Sequence, residues 1–218
     1  MTSPASSASY SGLRHLMVDL QLRARGIADE RVLAAMERVP RHEFAAEQYR
    51  EHAYEDHPLP IGEGQTISQP YIVAVMLQDL AVSPGDRVLE IGTGSGYVTA
   101  LLAELAGMIV SVERHASLAN SSTELLARMS YRNVSIVIGD GTQGFPQYAP
   151  YDAIIVSAAA PDVPRALLDQ LAEGGRMVIP VGGDDSQQLR LIRMESGYRR
   201  TVFRDLCRFV PLLPGIGS

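Results

Sequence analysis

The chain has 218 residues, 46% of them hydrophobic and 20% charged, with 19 Lys and Arg against 25 Asp and Glu for a formal net charge of −6. That length buries one good core, so a single domain is expected, and the negative balance lacks the gathered cations that duplex nucleic acid requires. One cysteine, Cys207, excludes an internal disulfide and a thiolate cluster and points to a reducing cytoplasm, while no apolar run nears the roughly 18 residues of a membrane span. The start, Met1 to Gly12, is rich in Ser and Ala and lacks the charged and apolar blocks of a secretory signal, so 1–12 reads as a frayed tail ahead of a domain over 13–218.

Leu13, Leu16, Met17 and Leu20 recur at helical spacing before Gly26, and Val32, Ala35, Met36 and Val39 do so between Asp29 and Pro40. Two amphipathic helices are predicted, with Met17 and Met36 as core residues. From Arg41 to Pro70 the pattern breaks into a stretch with Pro58, Pro60, Gly62 and Gly64, read as a long ordered loop. Loops of that length in a compact domain bind something or cover a site, so the segment is a functional candidate. Tyr71 to Leu80 is helical again, closing an N-terminal part over 13–80.

Short apolar runs then alternate with helical patterns over 81–182. Strands are predicted at Arg87–Ile91, Ile109–Val112, Val134–Ile138, Ala153–Val156 and Met177–Val181. Val98, Leu101, Leu102 and Leu105 mark a helix after the first strand. A second is expected over Ser117–Ser130 despite the poor helix-forming run Asn120 to Thr123, and a third from Pro164 to Ala172, capped by Asp162 and stopped by Gly174-Gly175. Turn residues at Gly182 to Asp185 and at Glu195 to Gly197 separate segments of partial alternation over 183–218, read as antiparallel strands. The fold class is therefore α/β, a doubly wound Rossmann-like sheet, mostly parallel, with an N-terminal helical extension.

Glu90-Ile91-Gly92-Thr93-Gly94-Ser95-Gly96-Tyr97 lies where a strand ends and a helix begins, the place where open parallel sheets bind ligands. A dinucleotide fingerprint needs its third glycine where Tyr97 stands, which ranks a nicotinamide dehydrogenase low. The acid followed by spaced glycines resembles the first motif of S-adenosylmethionine methyltransferases. Glu113, at the end of the second strand, suits the two ribose hydroxyls. Asp140, in Gly139-Asp140-Gly141, resembles the adenine-contacting acid of that superfamily, with Gly141 beside it. Glu90 either braces the glycine loop or lies near the methionyl ammonium group.

Methyltransferases acting on exocyclic amines carry Asn or Asp, two prolines and an aromatic after the fourth strand, where this chain has Ser157-Ala158-Ala159-Ala160-Pro161. Cys207 lies too far downstream to be a base-methylating thiolate. His42, His52 and His57 have spacings that define no standard metal site, and none is assigned to a metal.

The run Leu59-Pro60-Ile61-Gly62-Glu63-Gly64-Gln65-Thr66-Ile67-Ser68-Gln69-Pro70-Tyr71 resembles the signature of the protein-L-isoaspartate O-methyltransferase family, the bacterial form in particular. Val39 to Phe44, Gly139-Asp140-Gly141, Tyr151 to Pro161, Gly174 to Arg176, Pro180 to Gly182 and Arg208 to Leu212 extend the similarity over roughly Leu13 to Pro214. Two departures stand out. Glu63 replaces an aromatic or small polar residue and is expected to alter the mouth of the peptide site; the polar run at Asn120 to Thr123 is expected to touch only a surface helix.

The resemblance implies methyl transfer from S-adenosylmethionine to the free α-carboxylate of an L-isoaspartyl residue in a damaged protein or peptide. The product cofactor is S-adenosylhomocysteine, and the ester closes to a succinimide unaided. A chain-terminal carboxylate has a pKa of about 3.3 to 3.7, so it arrives ionised and no general base is needed. Ser68, with Thr66 and Ile67 beside it, is the expected catalytic segment, and Gln65, Glu90, Gly92 to Gly96, Glu113, Asp140 and Gly141 the expected cofactor site. Ser68 also suits a helix cap before Pro70. A monomer with no nucleic-acid or membrane partner is expected. Two other readings remain: the same fold acting on a small-molecule carboxylate or hydroxyl, and a non-catalytic cofactor-binding module that recognises damaged chains.

Overall fold

The computed structural model describes residues 7–183 and 185–217. Helix α1 (Ser7–Leu16) continues through a π-helical turn, Met17–Leu22, and a 3-10 turn, Arg23–Arg25, and ends at Gly26 with φ 93°. The tail expected over 1–12 thus becomes helix at Ser7, and residues 1–6 lie outside the described residues. The predicted apolar face is also corrected, since Leu13, Leu16 and Leu20 are exposed while Met17, Val18 and Leu22 are buried. The π-helical turn departs from the regular 3.6-residue repeat, so spacing alone misplaces the buried side.

Helix α2 (Glu30–Arg38) starts as its sequence dictates, with Asp29 Oδ1 accepting the N–H groups of Arg31 and Val32. Val32, Ala35, Met36 and Val39 are all buried. The stretch expected to be one loop contains 3-10 turns at Arg41–Phe44 and Glu47–His52 and then a hairpin, β1 (Leu59–Gly62) paired antiparallel with β2 (Gln65–Ile67). Strands of four and three residues are too short for a periodic signal. Their turn is Gly62-Glu63-Gly64, all three at positive φ, and Glu63 at 51° is the strained member.

Helix α3 (Pro70–Leu80) leads into a seven-stranded sheet of order β5-β4-β3-β6-β7-β8-β9. The strands are β3 (Arg87–Ile91), β4 (Met108–Glu113), β5 (Val134–Ile138), β6 (Tyr151–Val156), β7 (Leu171–Gly182), β8 (Gln187–Glu195) and β9 (Tyr198–Cys207). The first five pair in parallel, and β8 and β9 are antiparallel. Val88 and Ile155 belong to one apolar core and Leu89, Ile91 and Ile154 to a second, so both faces are covered. From β3 the chain moves outward to β4 and β5 and returns to β6 on the other side, which opens a crevice at the carboxyl end of β3.

Helices α4 (Tyr97–Leu105) and α5 (Ala116–Arg128) follow β3 and β4. The helix predicted from Pro164 to Ala172 shrinks to α6 (Arg165–Leu168), because Leu171 already pairs with Tyr151 and the strand runs through Gly174 at φ 76°. Asp162 does not cap it: its Oδ1 accepts the adjacent Val163 N–H and lies 3.8 Å from Arg190 Nη1, and Pro164 holds the cap position. The polar run Asn120 to Thr123 is helical, and Thr123 Oγ1 donates to the Ala119 carbonyl.

Candidate active site

The turn between β3 and α4 is possible because Gly92, Gly94 and Gly96 take φ of 90°, 52° and 86°. Space is tight as well. A Cβ on Gly96 would sit 3.2 Å from Ser122 Cβ, and one on Gly94 would sit 3.3 Å from Ile61 Cδ1 of the hairpin. Ser122, 2% exposed, donates its hydroxyl to the Gly94 carbonyl at 2.7 Å. The polar run therefore reaches beneath the glycine turn, correcting its reading as a surface feature.

Two carboxylates hold this turn in different ways. Glu90 is fully buried; its Oε2 accepts the hydroxyls of Thr99 and Ser111, both at 2.6 Å, and its Oε1 has no partner among the described residues. With the Ser111 proton committed to Glu90, Thr93 Oγ1 donates to Ser111 Oγ at 2.5 Å. Burial pushes the Glu90 carboxyl up to about 7, against the two hydroxyl donors that favour its charge. Glu90 thus braces β3, β4, α4 and the turn from behind. Glu113 is 5% exposed and accepts the Gly94 N–H on Oε2 and the His115 N–H on Oε1, both at 2.9 Å. Two accepted bonds leave a carboxylate about two further lone-pair sites, and Glu113 presents itself to the crevice.

Asp140 caps the 3-10 turn Gly141–Gln143, accepting the Thr142 N–H and hydroxyl on Oδ1 and the Gly215 N–H on Oδ2. Burial alone would raise its carboxyl, but these donors and the Arg114 charge together hold it below its ordinary value. Gly141 is required by close approach, since a Cβ there would lie 2.5 Å from Ile91 Cγ2.

The crevice spans about 860 Å³, with the open solvent at its mouth included. All the predicted cofactor residues except Glu90, Gly96 and Asp140 line it, and so do Thr66, Ile67 and Ser68. A second cleft, with Arg25, Tyr71 and Phe209 on its walls, adjoins the first. The two share Thr66, Ser68, Ser157, Val210 and Pro211. Ser68 therefore stands where both cavities meet.

Ser68 is not the cap of α3. Gln69 occupies that position without a side-chain cap bond, and Asp56 serves instead, accepting the Tyr71 N–H at 3.1 Å while it also holds Gln69 and Arg25. The Ser68 hydroxyl makes no protein hydrogen bond among the described residues, whereas its carbonyl accepts from Arg41. Ile67 is 3% exposed and packs into the core, so only its backbone can serve the crevice.

Glu63 also takes a place that spacing did not suggest. It accepts the Ser117 hydroxyl at 2.7 Å and lies 3.9 Å from His115 Nδ1, tying the hairpin tip to the first turn of α5. That places it on the glycine-turn side and not at the second cleft. Of the histidines, His42 stacks on Tyr10 and contacts the Tyr54 hydroxyl, while His52 and His57 contact Glu55.

Sequence reasoning missed Ser157, His115 and the Val210 to Leu213 wall. Ser157 follows directly from β6, and its position at a strand's carboxyl end was the available signal. The C-terminal wall arrives through tertiary pairing alone: the Ala159 N–H donates to Val210 O and the Leu212 N–H to Ala159 O.

A family model described as protein-L-isoaspartate(D-aspartate) O-methyltransferase matches residues 13–216. A protein-L-isoaspartate O-methyltransferase from Methanoculleus marisnigri is 56% identical over 205 residues, covering 94% of this chain and 93% of the relative. One from Koribacter versatilis is 53% identical over 216 residues, covering 98% and 97%. Among solved structures, a protein-L-isoaspartate O-methyltransferase superposes with a TM-score of 0.84 at 31% identity, covering 94% of this chain and 67% of that one. A putative member from Plasmodium falciparum in complex with S-adenosyl-L-homocysteine gives 0.78 at 30% identity, covering 94% and 98%.

Proposed function

We propose, from the premise that this chain belongs to the protein-L-isoaspartate(D-aspartate) O-methyltransferase family, a division of labour among its residues in the family's reaction. The enzyme transfers the methyl group of S-adenosylmethionine to the free α-carboxylate of L-isoaspartyl residues in damaged proteins and peptides. Bound in the crevice, the cofactor supplies an electrophilic methyl carbon on a sulfonium. The observation that carries the assignment is the meeting of two cavities at Ser68 and Thr66.

Gly92 to Gly96 and Glu113 hold the cofactor side. Glu113 is suited to the ribose hydroxyls and the turn around Gly141 to the base, with Asp140 fixing that turn from behind. The peptide enters through the second cleft. Ser68 donates its hydroxyl to the isoaspartyl carboxylate, and the backbone of Gln65 to Ile67 encloses the reacting end. A neutral donor orients the anion without a cation that would repel the sulfonium. The carboxylate arrives charged, so these groups act by holding its oxygen in line with the methyl carbon, at roughly 3 to 3.5 Å and away from water. A single cysteine, which has no internal disulfide partner, fits a reducing cytoplasm.

Labelled S-adenosylmethionine is expected to mark an isoaspartyl peptide and to leave its ordinary aspartyl twin unmarked. Equal labelling of both, or of neither, would reject the repair reading. Ser68→Ala is expected to lower kcat roughly 10- to 100-fold, with stability changed by less than about 0.5 kcal/mol because no cap is lost. Undiminished turnover by the folded variant would remove Ser68 from catalysis.

A further inference from the structure

Arg41 is fully buried and belongs to no ion pair among the described residues. Its Nε donates to the Ala53 carbonyl at 2.7 Å and its Nη2 to the Ser68 carbonyl at 2.8 Å. The guanidinium carbon lies 4.9 Å from the centre of the Tyr97 ring, and Phe44 meets the same ring edge-on at 5.6 Å. Among the described residues, neither Arg41 Nη1 nor the Tyr97 hydroxyl has a hydrogen-bond partner of good geometry. Burial works against the Arg41 charge and raises the Tyr97 phenol to about 12.

An unpaired buried cation costs several kcal/mol, and a well-packed apolar side chain in its place is often neutral or stabilising. Packing alone therefore gives no reason for an arginine here. Its contacts supply one. Tyr97 is the residue immediately after the glycine turn, Ser68 lies at the junction of the two cavities, and Ala53 closes the 3-10 turn before the hairpin. A planar fork that donates to two carbonyls while its central carbon lies over an aromatic ring fixes the spacing of all three segments at once, which a lysine ammonium on a flexible stem cannot do.

We infer that Arg41 is a positioning residue for methyl transfer, holding the Ser68 segment at a set distance from the glycine turn through the Ser68 carbonyl and the Tyr97 ring. The inference rests on the assignment of Ser68 above. Turned inward to the guanidinium, the Ser68 carbonyl leaves the residue's other groups to serve the junction. Misplacement of a reacting group by about 1 Å costs on the order of 100-fold in rate. Arg41 thus sets kcat rather than cofactor affinity, because the glycine turn is independently held by Glu113 and Ser122.

The test is a cycle of Arg41→Lys, Ser68→Ala and the double variant, with kcat and KM on an isoaspartyl peptide and Kd for S-adenosylhomocysteine. Arg41→Lys is expected to lower kcat at least about tenfold while Kd stays within about threefold, and on the Ser68→Ala background to cost less than about threefold. Additive losses, a kcat that falls only with the folded fraction, or a loss confined to Kd would overturn the inference. If Arg41→Lys fails to fold at 25 °C, ethylguanidinium added to refolded Arg41→Gly decides: restored kcat supports positioning, and restored folding without kcat rejects it. Failure of the Ser68 assignment is read separately, as normal kcat in Ser68→Ala alone.

Discussion

Glu113→Ala is expected to weaken binding of S-adenosylhomocysteine by roughly 30- to 1,000-fold, the equivalent of about 2–4 kcal/mol. Two losses combine. The ribose hydroxyls lose a charged acceptor, and charge-assisted hydrogen bonds are the stronger kind. The Gly94 and His115 N–H groups, now held at 2.9 Å each, lose their partner. Gly94 stands at φ 52°, so the turn that faces the cofactor loosens with it. Glu113→Gln retains one acceptor oxygen but sets an amide donor against one of those N–H groups, and an intermediate loss is expected. Titration calorimetry at fixed ionic strength measures both. Affinity within threefold of the parent in a folded Glu113→Ala protein would remove Glu113 from the cofactor site.

Glu90→Gln is expected to make the protein more stable at pH 8, by roughly 3 kcal/mol, and to flatten its stability against pH. Burial raises the folded-state Glu90 carboxyl from an ordinary value near 4.5 to about 7. Below about pH 4.5 it is protonated in both folded and unfolded chains, and the two proteins differ little through this group. Between about 4.5 and 7 the unfolded chain releases a proton that the folded chain keeps, so the parent's stability falls as pH rises. Above about 7 the loss is complete and constant. The glutamine oxygen can still accept from Thr99 and Ser111, so the brace survives while the charge does not. Urea denaturation at pH 4.5, 6 and 8 follows the difference. Parallel profiles for parent and variant would show that Glu90 is not held protonated by the fold.

The two effects separate the roles of acids only 23 residues apart in sequence. Glu113 faces the crevice and spends its charge on N–H donors. Glu90 lies behind the turn, where burial favours its neutral form against the two hydroxyls that donate to it. Position in the chain suggested Glu113 for the ribose and left Glu90 between a glycine-loop brace and the methionyl ammonium group; its buried surroundings put Glu90 in the scaffold.

Much of the fold was legible from pattern. Strands β3 and β5 span the predicted Arg87–Ile91 and Val134–Ile138, and the other core strands were placed with ends at most six residues off, because buried parallel strands appear as short apolar runs between turn residues. Asp29 announced α2, and the spaced glycines announced the crevice. The misplaced elements share a cause. The polar run at Asn120 to Thr123 has poor helix propensity, yet Ser122 spends its hydroxyl on Gly94 and packs under Gly96. The predicted third helix yielded to a strand because Leu171 gains more from pairing with Tyr151 than from another helical turn. In each case a distant partner overrides local preference.

What the sequence determined by itself is the βα alternation, the place of the glycine turn and the chemical types around it, because these depend on periodicity and on which residues tolerate positive φ. Only the tertiary structure decided that Asp56 rather than Ser68 caps α3, that the Val210 to Leu213 wall closes the crevice beside Ala159, and that Arg41 joins Ser68 to Tyr97. Those contacts link residues 15 to 56 positions apart through hydrogen bonds and ring faces. Such contacts carry no periodicity, so they exist as information only once the sheet has brought their ends together.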